Sequence, residues 1–113
     1  MNDSQTQKLG IGILLSIIIV KILKNYFKIA RPDINLKGYG FPSTRGAVIF
    51  FIITYLIFNN KLSKKTKILL LLIALFVCFL KYYMNEHSIF QLFCGALIGI
   101  LISYILTNMH VQI

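Results

Sequence analysis

The sequence predicts an all-α, polytopic membrane protein with about four transmembrane helices, and three observations lead there. The first is bulk composition: 113 residues are 58% hydrophobic and only 13% charged, with a mean hydropathy of +0.79. A water-soluble chain this short could not hide so much apolar surface, whereas lipid could. The second is that the apolar residues gather into four segments joined by short polar stretches. The third is where the charge lies. Twelve Lys+Arg face three acids, a formal net charge of +9, and the cations sit at the ends of the apolar segments. In a polar domain that excess would suggest nucleic acid. No aromatic-interleaved basic face is present, so the expected partners are anionic headgroups or phosphate ligands rather than nucleic acid. The length leaves room for one domain, residues 1–113.

The first apolar segment, residues 9–27, carries Lys21 and Lys24 and follows a polar tail, residues 1–8. That leader has a single Lys and no small-residue cleavage pattern after it, so the segment is not read as a signal peptide. The second segment, residues 46–58, "GAVIFFIITYLIF", is short of the ~20 residues a spanning helix needs. It gains length only if Pro42, Ser43 and Thr44 form its first turn. The third covers residues 68–83 and the fourth residues 89–106. Between the second and third, "NNKLSKKTK" is a short loop whose four lysines argue for the cytoplasmic side. Both termini are then expected in the cytoplasm, with residues 29–45 and 81–88 on the other face. That face also carries Lys24, Lys28, Arg31, Lys37, Arg45 and Lys81, which leaves orientation near a tie unless these cations serve a ligand.

The rarer residues narrow the chemistry. Asp3, Asp33 and Glu86 are the only acids and form no sequence cluster suited to magnesium or a metal pair. His87 and His110 have no ligand-spaced partners. No metal or other cofactor is therefore expected. Cys78 and Cys94 fall within apolar segments, where a thiol usually behaves as a small hydrophobe.

Three stretches carry polar groups worth explaining. Lys21, Lys24, Lys28 and Arg31 would share one face if the first helix continued that far. A lysine stripe snorkelling from the lipid boundary, ended by Arg-Pro, is the bland alternative. In "GYGFPSTRGAV", Gly38 and Gly40 permit a tight turn, and Pro42-Ser43-Thr44 can start a capped helix. The free N–H groups of such a helix start can meet an anion; an ordinary loop and cap is the alternative. In "LKYYMNEHSIFQ", His87 and Gln91 are four apart, so the amide can hydrogen-bond the imidazole. A wetted interfacial histidine is the plain alternative.

The order and spacing of these stretches resemble the type-2 phosphatidic acid phosphatase and haloperoxidase superfamily of membrane lipid phosphatases. Its first motif, Lys, six residues, Arg-Pro, is matched by Lys24-NYFKIA-Arg31-Pro32. Of its second, Pro-Ser-Gly-His or Pro-Ser-Ser-His, the sequence keeps the first half in Pro42-Ser43-Thr44-Arg45. Its third, Ser-Arg, five residues, His, three residues, Asp, reads Leu80-Lys81, "YYMNE", His87, "SIF", Gln91. The run "GYGFPS" looks most like the dolichyl and other polyprenyl diphosphate phosphatase branch. The likeness covers residues 24–99. It implies that the four segments correspond to the catalytic half of a six-helix fold.

By the same resemblance, Lys24, Arg31 and Lys81 would surround phosphate oxygens, with Ser43 and its helix start adding hydrogen bonds. His87 would be the catalytic nucleophile, forming a phosphohistidine that water resolves, and no cofactor is implied. Two departures stand out. Gln91 replaces the acid that holds the nucleophile; it can orient the imidazole by accepting from Nδ1–H but cannot stabilise an imidazolium, and Glu86 or Asp33 are candidates to compensate. Arg45 replaces the histidine that protonates the leaving oxygen, and an arginine does not donate a proton near neutrality. A diphosphate, whose leaving group is already good, suits such a site better than phosphatidic acid, with Arg45 neutralising the leaving charge. The resulting expectation is an integral membrane lipid phosphate or diphosphate phosphatase acting on a polyprenyl or dolichyl diphosphate. An inactive relative that binds lipid phosphate, or a small basic structural membrane protein, are the alternatives. The membrane would be the endoplasmic reticulum in a eukaryote or virus and the plasma membrane in a bacterium.

Overall fold

The computed structural model describes residues 2–33 and 38–109. Lys37 and His110 lie outside them. Among the described residues the fold is a four-helix bundle with no sheet: α1 (Asp3–Phe27), α2 (Thr44–Asn59), α3 (Lys64–Tyr83) and α4 (Ile89–Asn108).

The polar residues expected as a tail are in fact the opening turns of α1. Asn2 and Gln5 form a reciprocal capping box, Gln5 N–H donating to Asn2 Oδ1 at 2.8 Å and Asn2 N–H to Gln5 Oε1 at 3.1 Å. Asp3 adds a favourable charge in the first turn. The far end stops at Phe27, where Lys28 turns left-handed (φ 53°) and its N–H donates to the Lys24 carbonyl at 2.9 Å. The helix therefore does not continue to Arg31, and the single basic face expected from residue 21 to residue 31 is broken at Lys28.

Ser43 caps α2, its Oγ accepting from Gly46 N–H at 3.0 Å. Pro42 and Ser43 thus precede the helix, and only Thr44 of the three joins it. At 16 residues α2 is about 24 Å long, short of the ~30 Å hydrocarbon core. The other three helices are long and apolar enough to cross a membrane.

The shortest helix is the innermost. Phe51 and Tyr55 of α2 form a core with Ile102 and Leu106 of α4, and Leu9, Ile13 and Ile19 of α1 pack against it. Close approach depends on missing side chains. Gly12 lies under the Phe51 ring, and Gly95 and Gly99 face the backbone of Ser43 and Ala47, so α4 rests directly on α2. At the end away from residue 43, Tyr55 Oη donates to the Gln5 carbonyl at 2.8 Å and Asn59 Nδ2 donates to Thr107 Oγ1 at 3.0 Å. These bonds tie α1, α2 and α4 together. By contrast, α3 buries only Ala74 and turns Leu69, Leu72, Phe76 and Phe79 outward. Leu14 and Ile22 of α1 and Leu101 of α4 are exposed as well. An exterior richer in large apolar side chains than the interior suits lipid rather than water.

Candidate functional site

At one end of the bundle α1 and α3 finish while α2 and α4 begin. The connections are stitched by backbone bonds. Gly40 N–H donates to the Ile29 carbonyl at 2.9 Å, beside an antiparallel bridge between Ala30 and Tyr39. Asp33 N–H donates to the Asn85 carbonyl, and Ser43 N–H to that of Gln91, each at 3.1 Å. Both polar loops and the starts of α2 and α4 are thereby held as one unit, which brings Arg31, Gly40, Glu86, His87 and Gln91 together.

His87 is the centre of this unit, only 3% exposed. Its Nδ1 lies 2.9 Å from the Gly40 carbonyl oxygen. A carbonyl can only accept, so Nδ1 carries the ring proton and donates it, and Nε2 keeps its lone pair. That lone pair faces Arg31 Nη1 at 3.3 Å, and the same Nη1 donates to the Glu86 carbonyl at 3.0 Å. Burial, reinforced by the charges of Arg31 and Lys24, pushes His87 down to about 4 against the opposing bonds from Gly40 and Gln91. The imidazole is therefore neutral near pH 7, with an unprotonated Nε2 beside a guanidinium.

The turn after α3 sets the next contact. Glu86 N–H and His87 N–H both point back to the Lys81 carbonyl, at 3.1 and 3.4 Å. This curls the chain so that Glu86 Oε2 meets Lys81 Nζ at 2.6 Å. The contact is a short ion pair, and Oε2 is closed to solvent with no further hydrogen-bond donor among the described residues. Lys81 is the first cause holding Glu86 below the usual carboxylate range, against burial, and the charges of Arg31 and Arg45 add to it. Glu86 therefore faces the cations and leaves Nδ1 of His87 to Gly40.

The remaining expected residues are placed as follows. Gln91 is buried in the first turn of α4, where its Oε1 accepts from Ser88 N–H at 3.0 Å and its Nε2 donates to the Ala30 carbonyl at 3.1 Å. It also acts on His87, raising its pKa as the smallest of the influences there, while the imidazole Nδ1–H is donated to the Gly40 carbonyl. Ser43 is fully buried, its Oγ committed to Gly46 N–H. Arg45 is exposed on the first turn of α2 and acts on the cluster through its charge on Glu86. Lys24 stands in the last turn of α1, and its charge reaches His87. Among the described residues no group of three or more His, Cys, Asp or Glu is arranged to hold a metal.

The convergence of the three motif regions on one buried imidazole agrees with the comparison to known proteins. The model of the PAP2 superfamily matches residues 6–113, nearly the whole chain. The chain belongs to the PAP2 superfamily. A curated relative, dolichyldiphosphatase 1 of Dictyostelium discoideum, is 27% identical over 117 aligned positions that cover 91% of this chain and 51% of the relative. The chain thus spans about half the length of that relative. No solved structure matches.

Sequence reasoning missed two participants in this cluster that are backbone atoms, the Gly40 and Ala30 carbonyls. Gly40 is buried, and a Cβ there would sit 2.7 Å from Gln91 Oε1 and 3.1 Å from Arg31 Cγ. The glycine was visible as a turn former; what it brings is close approach between His87, Arg31 and Gln91.

Proposed function

We propose that this PAP2-superfamily chain is an integral membrane lipid phosphate or diphosphate phosphatase in which His87 Nε2 is the nucleophile, with a polyprenyl or dolichyl diphosphate as substrate. The observation that carries the reading is the imidazole itself: buried, neutral, proton fixed on Nδ1, lone pair on Nε2 facing the Arg31 guanidinium. Nε2 attacks the terminal phosphorus, an N–P bond forms, and the bond from phosphorus to the bridging oxygen breaks. The electron pair leaves with the lipid monophosphate. Water then attacks the phosphohistidine, giving inorganic phosphate and restoring Nε2, with the water's protons passing to phosphate and solvent. Lys24, Arg31 and Lys81 offset charge spread over the phosphoryl oxygens, the dominant contribution in this reaction class. Arg45 neutralises the leaving phosphate.

The Gly40 carbonyl supports this reading despite the missing acid. In a Ser-His-Asp triad, replacing the aspartate with an amide costs roughly 10⁴ in rate through the wrong tautomer. Here a backbone acceptor enforces the right tautomer, so the loss is confined to imidazolium stabilisation. The similarity to a protein named dolichyldiphosphatase 1 supports the substrate class.

A second reading, a catalytically inactive relative that binds lipid phosphate, is favoured by one observation: the residue at the leaving-group position is Arg45, which holds no transferable proton. Phosphate release by detergent-purified protein separates the two, on a polyprenyl diphosphate and on phosphatidic acid, with chelator present and His87→Ala alongside. Release from the diphosphate that needs His87 and ignores the chelator is expected. Absence of release from either lipid, in protein that melts cooperatively and binds inorganic phosphate, would favour the second reading; equal hydrolysis of phosphatidic acid would refute the diphosphate preference.

A further inference from the structure

The cations assigned to the phosphate have partners within the protein. Lys81 is engaged at 2.6 Å by Glu86 Oε2, and Arg31 Nη1 is drawn to the carbonyl of the same residue at 3.0 Å. The carboxylate is three-quarters buried and Lys81 more so, with side-chain exposures of 25% and 15%. We propose that Glu86 is a built-in anion that occupies Lys81 when the site is empty and must be displaced by the substrate's phosphate. This inference rests on the phosphate-site reading above and adds a residue that sets how strong an anion the site demands.

Three features of the geometry support displacement. The first is origin: the pair arises within one turn, since the amides of Glu86 and His87 both close on the Lys81 carbonyl. The backbone can hold that turn while the two side chains separate. The second is quality: the contact is a single short ion pair, and among the described residues Oε2 has no further hydrogen-bond donor. A carboxylate so placed meets the ammonium through one oxygen, whereas a phosphate with several acceptor oxygens can meet its charge and several of its N–H groups. The third is need. Lys24, Arg31, Arg45 and Lys81 converge on one end of the bundle, and the charges of Arg31, Arg45 and Lys81 all act on Glu86. Without an anion among them these cations would repel one another; with one, the empty site stays assembled. A monoanionic carboxylate is a weaker partner for several cations than a phosphate dianion. Glu86 therefore raises the threshold for entry, and every anionic ligand binds more weakly by the fraction of sites in which Lys81 is released.

The test is binding of inorganic phosphate at pH 8, by calorimetry on detergent-purified protein. The variants are Glu86→Gln, Lys81→Gln, the double variant and Arg31→Gln, each with a melting curve. Glu86→Gln is expected to tighten phosphate about fivefold, the upper range for a partly exposed pair. In the Lys81→Gln background the same change is expected to give no gain, because the carboxylate acts by occupying that ammonium. A Glu86→Gln affinity equal to or weaker than wild type would overturn the proposal. An equal gain with and without Lys81 would do so too, by showing general repulsion in place of occupation. If wild type binds phosphate and Arg31→Gln abolishes it while Glu86→Gln changes nothing, only the role of Glu86 falls. If neither wild type nor Glu86→Gln binds phosphate, the site reading falls and this inference with it.

Discussion

Replacing Arg31 by glutamine should move the titration of His87 upward by about one unit, and the structure sets that size. Arg31 Nη1 stands 3.3 Å from Nε2. At that separation a unit charge acting through a water-like dielectric contributes about 1.3 kcal/mol, close to one pKa unit. At an effective dielectric of ~20 it would contribute about 5 kcal/mol. That exceeds the whole displacement of His87 from 6.5 to about 4, in which burial is the larger cause. The weaker figure therefore sets the scale, and Arg31→Gln should raise the His87 midpoint by about that one unit. The assay is a histidine proton–carbon NMR titration in detergent, in a His110→Gln background so that His87 is the one histidine left. A wild-type midpoint above 6, or a midpoint indifferent to Arg31, would refute the reasoning. Stability follows with a definite sign. The folded pKa lies below the unfolded value, so between pH ~4 and ~6.5 the unfolded chain binds more protons and stability rises with pH. The contribution of His87 is fully present above pH ~6.5 and is lost as pH falls to ~4, on the order of 3 kcal/mol in all. Melting of wild type should fall across that window by more than melting of His87→Gln.

Gly40→Ala places a methyl 2.7 Å from Gln91 Oε1 and 3.1 Å from Arg31 Cγ. It should weaken phosphate binding and release at least tenfold with a smaller loss of stability, measured by calorimetry and melting; an unchanged Kd would show that the approach is not needed. Gln91→Glu restores an acid where the family has one, yet it should destabilise by about 1–3 kcal/mol, because the Nε2 bond to the Ala30 carbonyl becomes an oxygen facing an oxygen. Phosphate release should not rise; a gain in both rate and melting temperature would contradict this. Gly99→Val puts a side chain into the Ala47 backbone and should cost about 3 kcal/mol or more, read as a fall in melting temperature. Tyr55→Phe removes the 2.8 Å bond to the Gln5 carbonyl and should cost about 1 kcal/mol at the opposite end, leaving phosphate affinity unchanged.

What could be read from the residues alone was whatever local pattern carries. Apolar segments bounded by cations marked the helices, and Lys24, Arg31 and His87 were singled out by the order and spacing of the lipid-phosphatase motifs that the chain resembles. Length arithmetic also flagged α2 as short, and the structure explains the shortness: at 16 residues it is the inner helix, packed along α4 through Gly95 and Gly99. Other features depended on which of several equivalent partners a group would choose. Residues 1–8 read as a tail because hydropathy weighs side chains, whereas the reciprocal bonds of Asn2 and Gln5 belong to the backbone start of a helix. The continuous basic face failed at Lys28 because a left-handed residue leaves no mark in charge spacing. Most telling is the exchange around His87. The chain offers Gln91 at a helical spacing from the histidine, so side-chain reasoning gives the imidazole to the amide. The Gln91 oxygen caps Ser88 N–H and its nitrogen meets the Ala30 carbonyl, while Nδ1 donates to a backbone carbonyl 47 residues away. Backbone acceptors are identical at every position in a sequence, so only the fold can say which one orients the ring. In this site the ring's tautomer, and with it the availability of Nε2, is decided by a glycine's carbonyl and not by any residue a motif would mark.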